Sequence, residues 1–218
     1  MYQLYAYPNT YSFGVHLLLE ETATRYEIIN PKLNPAATDA AFYQSSPHGR
    51  VPALILPDGT SMCESGAIAL HLADTTSDQQ FTVKPGSPDR PHYLQWLFYL
   101  SSTLQPDVML VFHPEYYFTQ REQQSALIEA AEQRLEKVWP VLEQQYTNGP
   151  WMFGDAPTAV DFALTTVLVW PECFPTSLNS YPSLSRMLDT MSQRASFKKI
   201  VPWHRGTTEH QPKSSGSE

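Results

Sequence analysis

The stretch His48 to Asp74, HGRVPALILPDGTSMCESGAIALHLAD, restricts the fold more than any other part of the chain. Pro52 stands at the mouth of a short apolar run, Ala53 to Leu56. Proline cannot donate to a sheet ladder, so it marks a strand entry or an edge. Pro57-Asp58-Gly59 is a turn signal between two strand-like segments, with Thr60 to Cys63 as the returning strand. Glu64-Ser65 then leads straight into a helical apolar pattern through Ile68, Leu70 and Leu72.

Two features of this stretch invite chemistry. An X-Pro bond favours trans by only about 0.5–1 kcal/mol, so Val51-Pro52 is free to be cis. A cis bond would turn the Val51 N–H and C=O outward, ready to pair with another backbone. At the helix start, free N–H groups favour a carboxylate, and Glu64 offers an anion to an ammonium. Together these could hold a free amino-acid end, with the strand edge pairing the peptide beyond it. Each has a plainer reading. Ser65 is a good N-cap by residue type, worth about 1 kcal/mol without any ligand. Glu64 is stabilising near a positive helix end, and Val51-Pro52 could be an ordinary trans entry. The combination, in this order, points to a binding edge.

Upstream, Gln3 to Tyr7 reads as a strand ended by Pro8-Asn9, and Ser12 precedes a helical segment from Phe13 to Glu21. Tyr26 to Ile29 reads as a strand, and Thr38 to Gln44 as a short helix capped by Thr38. The order is β-α-β-α-β-β-α over residues 1–76, which implies a mixed sheet with helices on its faces. Residues 77–87 form a linker, and 88–205 show no further strand pattern. This second, all-helical domain opens with a helix from Asp89 to about Phe112, bent or interrupted at Pro106. Ser125 to Tyr146 is strongly periodic, with Pro140 expected to kink it. Thr158 and Asp161 have the spacing of a capping box. Pro182 suits the first turn of a later helix. Residues 206–218 are polar and expected to be disordered.

The 218 residues can bury a sizeable core. A formal charge of −8 with no long basic run argues against a nucleic-acid partner. No segment is long and apolar enough to span a bilayer, and MYQLYAYPN lacks the make-up of a signal peptide. Cys63 and Cys173, without a CxxC pair, suggest neither a disulfide scaffold nor a metal site. A reducing cytoplasm fits this cysteine usage.

The string SSPHGRVPALILPDGTSMCESGAIALHLAD resembles the glutathione-binding half of the glutathione S-transferase family. The later phrase GDAPTAVDFAL resembles the opening of that family's central core helix, and Tyr181 to Lys199 is similar to a later one. The resemblance runs from about residue 3 to 203. It implies a thioredoxin-like domain followed by an all-helical one. Val51 and the cis-proline Pro52 would meet the cysteinyl backbone of glutathione, and Glu64 and Ser65 its γ-glutamyl end. Arg50 matches a polar residue used near glutathione, and Lys32 could reach the glycine carboxylate. A homodimer is also implied, with the helix around Tyr93 to Leu104 near its interface. Departures are Ser46-Pro47 where asparagine-proline is usual and His71 where tyrosine is frequent.

An unperturbed thiol has a pKa of about 8.5, and lowering it by two units needs roughly 2.7 kcal/mol of thiolate stabilisation. The loop Pro8-Asn9-Thr10-Tyr11-Ser12 is where a hydroxyl or amide donor belongs, beside a helix N-terminus that favours an anion. Aligned on His16, Ser12 matches a serine and Tyr11 the cysteine of bacterial beta-like members. With no cysteine in the loop, a mixed-disulfide mechanism has no nucleophile there. Other alignments, to theta-, zeta- or Nu-like members, shift the donor to Asn9, Thr10 or Tyr11. Ser12 is expected first and Thr10 second, with Asn9 a rival, and Ser12 could equally be an N-cap. Tyr5 and Tyr7 read as core strand residues, and His16 as a packed histidine. Phe112, Tyr116, Tyr117, Phe118 and Trp170 supply aromatic surface for an apolar electrophile between the domains.

The expectation is therefore a detoxifying transferase with glutathione as co-substrate and no metal. Two alternatives stand beside it: a Nu-like glutathione-dependent disulfide reductase, and a non-catalytic binding module on the same fold.

Overall fold

The computed structural model describes residues 1–31, 40–76, 78–174 and 177–206. The first part has the expected order: β1 (Tyr2–Tyr5), α1 (Ser12–Glu21), β2 (Tyr26–Ile29), α2 (Ala40–Ser45), β3 (Ala53–Ile55), β4 (Ser61–Cys63) and α3 (Ser65–Thr75). The four strands lie in the order β2-β1-β3-β4. β1 and β2 are parallel, while β3 is antiparallel to both β1 and β4. This is the thioredoxin-like sheet, and a mostly helical second part follows it.

Strand ends follow local hydrogen bonding. The Ala6 N–H still reaches Ile29 O at 3.0 Å, but the Tyr7 N–H goes to Ser12 Oγ at 3.3 Å, so pairing stops short of Tyr7. Tyr7 is 41% exposed, not a core residue, whereas Tyr5 is buried. In the β3–β4 hairpin, Asp58 Oδ1 accepts from the Thr60 N–H and hydroxyl at 2.9 and 2.7 Å. Gly59 adopts φ +88°, open to glycine without strain. The Val51-Pro52 bond is cis.

The helical part comprises α4 (Arg90–Tyr99), α5 (Gln105–Phe112), α6 (Arg121–Gln145), α7 (Ala159–Leu168), α8 (Pro182–Ser192) and α9 (Ala195–His204). Between α4 and α5, Leu100–Leu104 forms a π-helical turn, which places Pro106 in the first turn of α5. The expected interruption is thus a widened turn that accommodates the missing N–H. α6 starts earlier than its periodicity suggested and continues through Pro140. Pro140 and Glu136, whose carbonyl the ring displaces, are both exposed, so water can satisfy that carbonyl. The later family-like helix is split in two, because Arg194 has extended backbone and caps α9. The tail from 207, like Thr38, lies outside the described residues.

One core runs through both parts, from Leu4, Leu17, Leu54 and Ile68 to Tyr93, Trp139 and Phe162. α1 packs on α7, and a Cβ on Gly14 would come within 2.4 Å of Phe162 O. The Gly14 N–H donates to Thr166 Oγ1 at 3.0 Å. Asp74 at the end of α3 receives Arg90 on both oxygens, at 2.8 and 2.6 Å, across the linker. These contacts fix the seam between the two parts.

Candidate functional site

The seam opens into a cleft of about 340 Å³, within the usual range for a small-molecule site. One wall comes from the first part: Asn9, Thr10 and Tyr11 from the loop before α1, and Gly49, Arg50 and Val51 before the cis-proline. Gly49 turns the chain with φ +63°. The Ser46 hydroxyl steadies the next residue, donating to Arg50 O at 2.7 Å and accepting from Arg50 N–H at 3.0 Å. Arg50 is exposed and Pro52 is buried.

The loop hydroxyls are used within the loop. Thr10 Oγ1 donates to Tyr7 O at 2.7 Å and accepts from Ser12 N–H at 3.3 Å. Ser12 Oγ lies 2.8 Å from Thr10 Oγ1 and 3.1 Å from Tyr7 O, and the residue is fully buried. Ser12 does not line the cleft and is not an N-cap. Its hydroxyl reaches back to Tyr7, just past β1, rather than forward into the helix, and Tyr11 takes the capping position. Asn9 is exposed, holds φ +55°, and forms no side-chain hydrogen bond among the described residues. The Tyr11 hydroxyl is buried without a partner among those residues. Its pKa stands well above the ordinary value through burial and then the neighbouring Cys173, so it stays a phenol.

Ser65 is likewise the first residue of α3 rather than its cap. Glu64 occupies the capping position with φ +73° and ψ +109°, a strained backbone for a residue with a Cβ. The first intrahelical bond is Ile68 N–H to Glu64 O at 2.9 Å, which leaves the N–H groups before it without an intrahelical partner. Glu64 is exposed. Ser65 lines a small cavity that shares Tyr11 and Gln105 with the main cleft. Lys32 lies outside the described residues.

The opposite wall is helical: Gln105, Met109 and Phe112 from α5, then His113, Tyr116 and Trp170. Trp170 meets Tyr11 and Phe112 edge-on, with centroids 5.1 and 5.6 Å away. His113 and Tyr116 stack at 4.8 Å and 7°. Tyr117 and Phe118 are 56% and 39% exposed and do not line the cleft. Gln105, Met109 and His113 escaped the sequence reading, although the 105, 109, 112, 113, 116 spacing is a helical stripe. Chemically, the cleft sets polar groups and the backbone just before β3 against an aromatic face; β3 is an inner strand paired on both sides, so Pro52 marks a strand entry and not a sheet edge.

The N-terminal domain model of the glutathione S-transferase family matches residues 1–74, and a C-terminal domain model of the same family matches 107–201. The chain is 26% identical over 194 residues to glutathione S-transferase GstA of Escherichia coli O157:H7, covering 88% of this chain and 93% of that protein. It is 27% identical over 180 residues to the disulfide-bond oxidoreductase YfcG of Escherichia coli K12, covering 78% of each. A sphingomonad glutathione S-transferase solved in complex with glutathione superposes with a TM-score of 0.79 at 26% identity, over 93% of this chain and 98% of that one. With both halves of the fold matched in sequence and the whole matched in structure, this chain belongs to the glutathione S-transferase family.

Proposed function

We propose that this protein is a glutathione transferase that activates the glutathione thiol for attack on an apolar electrophile. The observation that carries this reading is the two-faced cleft, with Asn9, Thr10, Arg50 and Val51 opposite Phe112, Tyr116 and Trp170. Val51 pairs with the cysteinyl backbone. Glu64 takes the γ-glutamyl ammonium, and Ser65 with the free N–H groups of α3 takes its carboxylate. Arg50 and Lys32 are proposed near the remaining carboxylate.

For the thiolate, Asn9 comes first, because its amide hydrogens are not spent within the loop. Thr10 comes second, and Ser12 last, since its hydroxyl holds the turn. A hydrogen bond to a charged acceptor is worth about 1.5–3 kcal/mol. That corresponds to roughly one to two pKa units, comparable to the lowering a thiol needs at neutral pH. The start of α1 adds to it through the helix dipole. A homodimer belongs to the same proposal, with Phe98 of α4, 65% exposed, at its interface.

The test is conjugation of a chloronitrobenzene by the purified protein with glutathione, alongside glutathione binding by calorimetry. Turnover that falls about tenfold or more in Asn9→Ala supports the assignment. Absence of both turnover and binding refutes the reading and favours a non-catalytic module. A second reading, glutathione-dependent disulfide reduction, is favoured by the likeness to the disulfide-bond oxidoreductase. Faster turnover with hydroxyethyl disulfide than with the aryl halide would select it.

A further inference from the structure

The chain leaves α5 at His113 and turns at once. Pro114 opens a single 3₁₀ turn, Pro114–Tyr116, and the Tyr116 N–H donates to His113 O at 3.2 Å. The turn brings the Glu115 and Tyr116 side chains back beside the imidazole. His113 Nδ1 lies 3.0 Å from Glu115 Oε1, and the Tyr116 ring stacks on the imidazole face. The side chain of His113 is 41% exposed, yet it is held on one face and at one edge.

The direction of the hydrogen bond follows from the carboxylate. A bond from its own backbone N–H, and then the one from His113, hold Glu115 below the usual carboxylate range. A carboxylate only accepts, so the hydrogen between the two is on Nδ1. A neutral imidazole carries one N–H, which leaves Nε2 with a lone pair to offer. Nε2 has no partner among the described residues. His113 and Tyr116 line the main cleft and Glu115 does not, so the Nδ1 edge is turned toward the rim. Phe112 and Trp170 continue the same wall inward. The helical side of the cleft is thus an aromatic surface with a hydrogen-bond acceptor at its rim.

We propose that His113 Nε2 accepts a hydrogen bond from the electrophile, so that the cleft selects aromatic electrophiles bearing a hydroxyl group. The ring of such a compound lies against Phe112 and Trp170, and its hydroxyl hydrogen meets His113. His113 is then a specificity-determining residue that moves no proton, and Glu115 is a positioning residue that fixes its tautomer. The proposal rests on the transferase reading and names the substrate class of that site.

The test uses two unsaturated aryl ketones of similar size, benzylideneacetone with a meta-hydroxyl group and its meta-methoxy ether. In both, the glutathione sulfur bonds to the β-carbon and the π pair of the double bond moves to the α-carbon. The proton given up by the thiol reaches that carbon through solvent. The ether keeps the ring and the reacting bond but has no hydrogen to donate. The ratio of the two kcat/KM values is measured for the wild-type protein, His113→Phe and Glu115→Ala, at about pH 7.5, where an ordinary imidazole is mostly neutral. Taking the ratio cancels any general loss of activity in a variant. The wild-type protein should prefer the hydroxyl compound about fivefold, the worth of a neutral hydrogen bond. His113→Phe should bring the ratio to about one, and Glu115→Ala, which frees the tautomer, should lower it about twofold. A wild-type ratio near one, or a preference that survives in His113→Phe, overturns the proposal and leaves the transferase reading standing. Conjugation of a chloronitrobenzene but of neither ketone does the same. An unchanged ratio in Glu115→Ala overturns the role given to Glu115. Failure with all three acceptors overturns both the proposal and the transferase reading.

Discussion

Replacing Asp161 with asparagine tests how α7, the helix packed against α1, is held. Asp161 is fully buried. Its Oδ1 accepts from Tyr146 Oη at 2.9 Å and Met152 N–H at 3.0 Å. Its Oδ2 accepts from Thr158 N–H at 2.6 Å and Thr158 Oγ1 at 2.9 Å. These bonds tie the end of α6 and the following loop to the start of α7, the helix that α1 meets at Gly14. An asparagine keeps the shape but supplies one acceptor oxygen. Turned toward Tyr146 and Met152, it leaves its NH₂ facing the Thr158 N–H, which cannot accept. One buried donor left unsatisfied costs about 1–3 kcal/mol, and losing the charge from the remaining bonds adds to that. We expect Asp161→Asn to lose about 2–4 kcal/mol, and Asp161→Ala, which orphans every donor, about 4 kcal/mol or more. Urea unfolding followed by tryptophan fluorescence measures this, with Tm falling about 2–4 °C per kcal/mol for a chain of this size. A loss below about 1 kcal/mol in Asp161→Asn would show that the network carries little of the stability assigned to it.

Gly14→Ala should cost about 1–3 kcal/mol in urea unfolding, because the added Cβ would meet Phe162 O at 2.4 Å and Thr166 Oγ1 at 2.5 Å. Unchanged stability would mean that the α1–α7 contact yields easily. Burial works against ionisation of Glu21, but hydrogen bonds from Arg194 and Ser196 and the Arg194 charge outweigh it, so its pKa is lowered on folding. Its contribution is therefore present above the unfolded pKa and lost as pH falls through the folded one. Arg194→Gln should flatten the decline of Tm between about pH 5 and 3, and parallel declines in the two proteins would refute this. Ser12→Ala should cost about 1–2 kcal/mol while leaving the bound thiol pKa unmoved. A larger pKa rise than in Asn9→Ala would restore Ser12 as the donor. Glu64→Gln should weaken glutathione binding by about tenfold in calorimetry, and an unchanged Kd would remove Glu64 from the ammonium site.

Much of the framework was legible because it rests on residues close together in the chain. Asp58-Gly59 makes its hairpin through bonds to Thr60, two residues on. Asp161 reaches back three residues to Thr158, as its spacing suggested. Pro52 and the Glu64-Ser65 step mark the start of a strand and of a helix, and both are found where the pattern set them. Signals of this kind depend on backbone geometry over a few residues, so a sequence carries them almost whole. The roles within the first turn were less legible. A serine before a helical run looks like a cap, but Ser12 spends its hydroxyl on Tyr7.

The sequence by itself determined the thioredoxin-like order of strands and helices, the helical half that follows, and the short list of residues from which a glutathione site could be built. Only the tertiary structure decided which of them share a cleft. It set Asn9 and Val51 opposite Phe112 and Trp170, and it joined His16 to His204 across 188 positions. It also used Gly14 as the point where α1 touches α7. Such pairings depend on how two packed bodies meet, and no local preference of the backbone encodes that distance.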